Sequence, residues 1–183
     1  MQSTQPTRSA TDKRESARKM TLDDLARMDD AALARLYAGG GVPDHLRALD
    51  GDLRGRMLAV RKLDRGPIAR AIAAFSGSRR FPWAGKSFSA DDAGHGKGIN
   101  RVKLWGRHRL FGFQTSIGKS VVDGNAAVIL DYDLSDNPSA IRAIHDEVRE
   151  VAPGLFLGPA CMKRRSGAPV VALWFALDAG HVS

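Results

Sequence analysis

Apolar residues along the chain follow two periods. From Thr21 to Leu36, the positions Leu22, Leu25, Met28, Ala32, Leu33 and Leu36 recur at helical spacing. Thr21 stands three residues before Asp24, the pattern of an N-terminal cap, and Gly39-Gly40-Gly41 stops the segment. Asp29 and Asp30 offer a second cap, so the helix has a natural breaking point there. From residue 53 the apolar stretches are short and separated by Gly, Asn, Asp and Pro. They predict strands over 53–60, 83–89, 99–105, 109–115, 126–132, 155–162 and 170–177. Gly106-Arg107-His108, Asp123-Gly124-Asn125 and Ser166-Gly167-Ala168-Pro169 read as turns. Two further helices are predicted. One runs from Pro67 to Phe75, with Ile68, Ile72 and Phe75 on one stripe. The other opens at Asn137-Pro138, buries Ile141, Ile144 and Val148, and ends at Pro153-Gly154.

About seven short strands with few helices predict a mainly β chain of the α+β type. Doubly wound parallel sheets need a long helix between most strands. The expected architecture is a small closed antiparallel barrel with an N-terminal helix and short helices at the barrel ends. The interior of such a barrel holds side chains or one small ligand. Residues 1–20 are polar and rich in Ser, Thr and Arg, and are expected to form a disordered basic tail ahead of a single domain over 21–183.

Length and charge narrow this picture. With 183 residues and a single cysteine, Cys161, the chain has room for one sizeable core and no intrachain disulfide or multi-cysteine zinc site. The longest apolar run, Val170 to Leu177, is too short to span a membrane as a helix, and the first twenty residues lack a secretory h-region. A cytoplasmic protein is the expectation. The formal charge of +8 is unevenly placed. Residues 51–120 are strongly basic, whereas 21–50 and 121–150 are acidic. Basic strips favour phosphates, nucleic acid or anionic lipid, unless they pair with the acidic blocks in the fold.

Few motifs carry chemistry. Gly118-Lys119-Ser120 and Gly85-Lys86-Ser87 end like phosphate loops, but neither has the upstream glycine at the required spacing. Asp91, Asp92 and His95 lie in a Gly-rich stretch that matches no calcium or zinc motif, and no metal or cofactor is expected. Cys161 lies in an apolar strand and no Gly-x-Ser-x-Gly elbow is present, so nucleophilic catalysis has no support. The most concentrated polar block is Asp131-Tyr132-Asp133 followed by His145, Asp146 and Arg149. Asp131 and Asp133 share one side of a strand, with Tyr132 on the other. On a helix, His145 and Arg149 would share a face. Asp133, His145 and Asp146 are the acid/base candidates. Trp83, Lys86, Asn100, Tyr132 and Arg149 are the candidate ligand-binding residues, with Lys86 and Arg149 as charge partners.

The order of these elements resembles the GXWXG-type bacterial domain family, a group near the calycin-like β-barrels. Gly51-Asp-Leu-Arg-Gly55 occupies the place of the Gly-x-Trp-x-Gly signature, with Leu53 replacing its Trp. Trp83-Ala-Gly-Lys-Ser-Phe88 resembles the element that follows. Asp131-Tyr-Asp, Asn137-Pro, Asp146-Glu-Val-Arg149 and Leu157-Gly158 resemble later positions. The resemblance spans about residues 49–160 and implies a calycin-like barrel with a small-ligand site. It carries no settled activity.

Three functions follow as expectations. The first is a barrel binding a small apolar or amphiphilic, acidic-headed ligand. The second is a metal-independent acid/base enzyme, which requires two of Asp133, His145 and Asp146 to meet in a pocket. The third is a nucleic-acid or anionic-membrane binder using residues 54–109.

Overall fold

The computed structural model describes residues 19–60, 83–103, 106–164 and 166–180. All but the last two residues of the tail expected over 1–20, the helix over 67–75 and Trp105 lie outside these residues.

Two short helices lead the described chain. Helix α1 spans Leu22–Leu25, where Thr21 and Asp24 cap each other reciprocally. Helix α2 spans Asp30–Gly39, with Asp29 accepting from the Ala32 N–H at 2.7 Å. The chain thus breaks where the second cap stands. A short 3-10 turn, Leu46–Leu49, follows.

Eight strands come next: β1 Gly51–Val60, β2 Trp83–Ala90, β3 His95–Val102, β4 His108–Lys119, β5 Ala126–Asp131, β6 Ile144–Ala152, β7 Leu155–Met162 and β8 Val170–Asp178. Each pairs antiparallel with the next, and β8 returns to β1, closing the barrel. A one-turn helix, α3, spans Ser139–Arg142.

Two expectations are corrected. The helix through Ile144 and Val148 is strand β6; only α3 is helical. The residues Ile144, Asp146 and Val148 alternate with His145, Glu147 and Arg149, and this period of two wins once β5 and β7 supply the ladder bonds. The Gly-rich connection is also shorter than expected, because β3 already begins at His95. Gly96 and Gly98 are strand residues there. A side chain at Gly98 would lie 2.4 Å from the Phe113 ring, so the aromatic ring occupies space the glycine leaves.

The core has two layers. Inside the barrel, Leu53, Phe88, Phe113, Val128, Leu130, Val148, Phe156, Phe175 and Leu177 pack together, and Leu46 and Leu49 of the 3-10 turn close one end. Outside, Leu25, Leu33 and Tyr37 of the helices cover Leu155, Leu157, Trp174 and Ala176. Strands β7 and β8 are therefore buried on both faces, which is why they read as continuous apolar runs. The Trp174 indole N–H donates to Asp30 at 2.8 Å and tethers α2 to the wall.

Strands β6 and β7 approach so closely that a side chain at Gly158 would lie 1.7 Å from the Glu147 carbonyl oxygen. Gly158→Ala is expected to lower stability by about 2–4 kcal/mol, because backbone rather than a flexible side chain must move. Gly41→Ala meets nothing within 4 Å and should stay within about 0.5 kcal/mol of the parent. Urea unfolding of both variants checks the contrast.

Candidate functional site

The barrel end formed by the finish of β1, β3, β5 and β7 contains a cavity of about 130 Å³. Met57, Val102, Phe111, Ile141, Met162 and Phe175 supply much of its apolar wall, and Lys86, Asn100, Tyr132 and Asp146 supply its polar side.

Local geometry explains how these four residues meet. Lys86 on β2 and Asn100 on β3 are direct register partners. Asp146 on β6 pairs with Leu130 on β5, and Tyr132 lies two residues beyond Leu130 on the same inward side. Trp83 and Lys86 are three apart, which would place them on opposite faces of a regular strand. A register shift between Trp83 and Gly85, with Gly85 at φ 125°, brings both to the cavity. The glycine is required there, since a side chain would lie 2.0 Å from the Leu53 carbonyl oxygen. Gly55 leaves room in turn for the Trp83 ring, which a side chain at that position would meet at 2.5 Å.

Lys86 is 3% exposed. Its ammonium donates to Asn100 Oδ1 at 2.9 Å, to Asp146 Oδ2 at 2.9 Å and to the Tyr132 hydroxyl. Tyr132 donates to Asp146 Oδ2 at 2.9 Å. Asn100 donates to the Phe111 carbonyl at 3.1 Å and accepts from the Trp83 indole at 3.1 Å. Four rings surround the ammonium, with centroids 5.1–5.6 Å from Nζ: Phe175, Phe113, Tyr132 and Trp83. Burial pushes the Lys86 pKa down and outweighs the attraction of Asp146. Burial, then the Asp146 charge, pushes the Tyr132 hydroxyl well up.

One atom of this network is unsatisfied. Asp146 Oδ1 is buried and has no hydrogen-bond partner among the described residues. Arg101 Nε is in the same condition, but Arg101 does not line the cavity. Phe111 adds local strain, since its φ of 59° lies in the left-handed region. It is the extra residue of a bulge between Leu110 and Gly112, where β4 slips against β3. The bulge places the Phe111 ring on the cavity wall and its carbonyl under Asn100.

The structure brings together five sequence candidates: Trp83, Lys86, Asn100, Tyr132 and Asp146. It corrects the other three. Asp133 is half exposed and pairs with Arg142 on the surface. His145 and Arg149 face away from the cavity, because they occupy the outward positions of β6. His145 contacts Glu147 Oε1 at 3.0 Å. Arg149 is fully buried against α2, with a two-pronged bond to Asp123 (2.7 Å each), further bonds to the carbonyls of Ala126 and Tyr37, and the Tyr37 ring 4.2 Å away. The acid/base trio therefore does not converge. Cys161 is buried, and burial pushes its thiol up to about 12, so it is inert core. Sequence reading missed Phe111, Met57, Val102 and Met162 as wall residues; only strand alternation at the right register would have marked them.

Many of the basic residues between 54 and 109 are paired. Arg54 meets Asp178, Arg56 meets Asp23, Arg101 and Arg109 share Asp52, and Lys97 approaches Asp91. The expected basic helix near residue 70 lies outside the described residues. Among the described residues, no cluster of three or more His, Cys, Asp or Glu is placed to hold a metal ion, and no helix is long and apolar enough to cross a membrane.

No protein-family model matches the chain, and no curated protein matches it in sequence. A solved structure described as a crystal structure of a protein from Thermomonospora curvata is similar, with a TM-score of 0.51 at 18% identity. The match covers 84% of this chain and 89% of that one. At this identity the likeness is one of fold.

Two outcomes follow from the charge arrangement. Lys86→Met leaves Asp146 buried without its cation and should cost about 3–5 kcal/mol, whereas Lys86→Met combined with Asp146→Leu should recover part of that loss. Urea unfolding of the singles and the double measures the coupling. Asp123 is held well below the usual carboxylate range, first by its bonds from Arg149. Glu147 is also held low: burial pushes it up, but bonds from His145, Ser120, the Val121 N–H and Tyr37 outweigh burial. Both carboxyls bind protons more weakly folded than unfolded. Their stabilisation is complete above the ordinary pKa of about 4 and is lost as pH falls below it. Asp123→Asn should flatten the loss of stability between about pH 5 and 3, read by denaturant unfolding at each pH.

Proposed function

We propose that the protein binds one small, mainly apolar molecule inside the barrel, oriented by a single polar group against the Lys86–Asp146 pair. The observation that carries this reading is the cavity itself, whose wall is apolar except where Lys86, Asn100, Tyr132 and Asp146 meet. Asp146 lines this polar side, and its Oδ1 is buried without a partner; such an atom is costly, so a ligand donor that reached it would be favoured. All three Lys86 N–H groups already have acceptors. The favoured head group is therefore a hydroxyl or amine rather than the acid expected from sequence, since an acidic head would lie against Asp146. The cavity of about 130 Å³ is close to one known to admit benzene, about 150 Å³, so the apolar part is on the order of a six-carbon ring or a short chain. A calycin-like barrel of the kind suggested by the GXWXG resemblance accords with such a site.

Benzyl alcohol is a suitable probe. Calorimetry should show saturable one-to-one binding with a negative heat-capacity change. Ala160→Phe projects a ring into the cavity and should abolish that heat while the variant still unfolds cooperatively. Native mass spectrometry of freshly purified protein should retain a small adduct. Absence of binding by the parent chain, or unchanged binding by folded Ala160→Phe, would remove the reading.

A further inference from the structure

Among the described residues, two cations are buried, in two ways. On the outer wall, Arg149 is clamped by Asp123 and two backbone carbonyls and does not line the barrel cavity. Arginine suits that task, because its planar fork fits a carboxylate and does not lose its proton. Inside the barrel, the buried cation is Lys86, which lines the cavity. Lysine is more compact than arginine, and unlike arginine it can give up a proton and become a nucleophile.

We propose that Lys86 captures a small aldehyde in the barrel cavity as a protonated imine, with Asp146 as proton relay and counterion. This rests on the cavity being the ligand site and specifies its ligand as a carbonyl compound. The Asp146 carboxylate, 2.9 Å from Nζ, accepts a proton from the ammonium. The freed lone pair attacks the carbonyl carbon, forming the C–N bond as the C=O π pair moves to oxygen. That oxygen takes the proton held by Asp146, which gives a protonated carbinolamine with an O–H and restores the carboxylate. A second proton from the same nitrogen reaches that oxygen through Asp146, and the C–O bond breaks to release water. Nitrogen keeps one hydrogen and the positive charge. The ammonium and the aldehyde thus become an iminium and water, with no oxidant, reductant or outside proton.

The surroundings suit both ends of this reaction. Charge on nitrogen is the same before and after, so the four rings around Nζ and the Asp146 carboxylate stabilise lysine and iminium alike. The apolar wall limits access of water, which would hydrolyse the imine. The lowered Lys86 pKa makes the free amine more accessible than at an exposed lysine.

The test mixes the full chain with benzaldehyde at neutral pH in two arms. In the first, sodium cyanoborohydride traps any imine as a benzylamine, and peptide mapping locates it. Lys86 should be labelled at least about tenfold faster than any surface lysine, because amines with an ordinary pKa of about 10.4 are almost wholly protonated at that pH. In the second, carbonyl-13C benzaldehyde without reductant should give an imine carbon resonance in stoichiometric amount. Lys86→Arg keeps the charge and should abolish both signals; if it does not fold, the lysine map of the parent chain decides alone. If benzyl alcohol binds but Lys86 is labelled no faster than surface lysines and no imine carbon forms, the capture is wrong and the binding reading stands. If neither compound enters, both fall. Preferential Lys86 labelling without benzyl alcohol binding would support the capture alone.

Discussion

The ion pair between Lys86 and Asp146 is the constraint around which the barrel is arranged. In a ring of eight strands, β2 and β6 lie opposite one another, so the pair spans the interior rather than a wall. Two charges taken out of water are costly unless their remaining donors and acceptors are met. That requirement explains the neighbours. Asn100 and Tyr132 accept the other ammonium protons, Tyr132 donates to the carboxylate, and Trp83 and Phe111 hold Asn100 in place. Each partner comes from a different part of the sheet. A slip of one residue in any of those strands would turn its contribution outward.

The same demand accounts for the irregularities of the sheet. Gly85 and Phe111 both lie where strand register shifts, and both adopt positive φ. One brings Trp83 and Lys86 to the same side; the other places a ring on the wall and a carbonyl under Asn100. These bulges border the polar cluster. At the opposite end, the 3-10 turn inserts Leu46 and Leu49 into the interior. The barrel is thus packed at one end and hollow at the other. The outer layer carries the rest of the buried polarity: Tyr37, Glu147, Arg149 and Asp123 tie α2 to β6 without facing the cavity. Alternation on β6 separates the two systems, with Asp146 inside and its neighbours His145 and Glu147 outside.

Much of the fold is legible in the sequence. Seven of the eight strands, the capping of the first helical segment and the turns at Gly124 and Gly167 follow from local pattern, because turn residues and apolar runs act over a few positions. Strand β6 was not legible. Its sequence, Ile-His-Asp-Glu-Val-Arg-Glu, is rich in residues that favour helices, and its alternation is visible only if Asp146 is accepted as an inward residue. A buried carboxylate is improbable from sequence alone, since its cation stands sixty residues earlier. Misreading that one element put His145 and Arg149 beside each other and made both site candidates.

The sequence by itself determined an antiparallel β architecture preceded by helical segments, a core rich in aromatic residues, and a charge distribution with basic and acidic blocks that can neutralise one another. These depend on short-range periodicity and composition. The tertiary structure alone decided which polar residues share the interior and which face outward. It paired Lys86 with Asp146, left Asp146 Oδ1 without a partner, moved Arg149 to the outer wall and left Asp133 on the surface. The physical reason is that barrel closure and strand register are collective. They set the inward or outward face of every residue at once, and no local stretch of sequence contains that information.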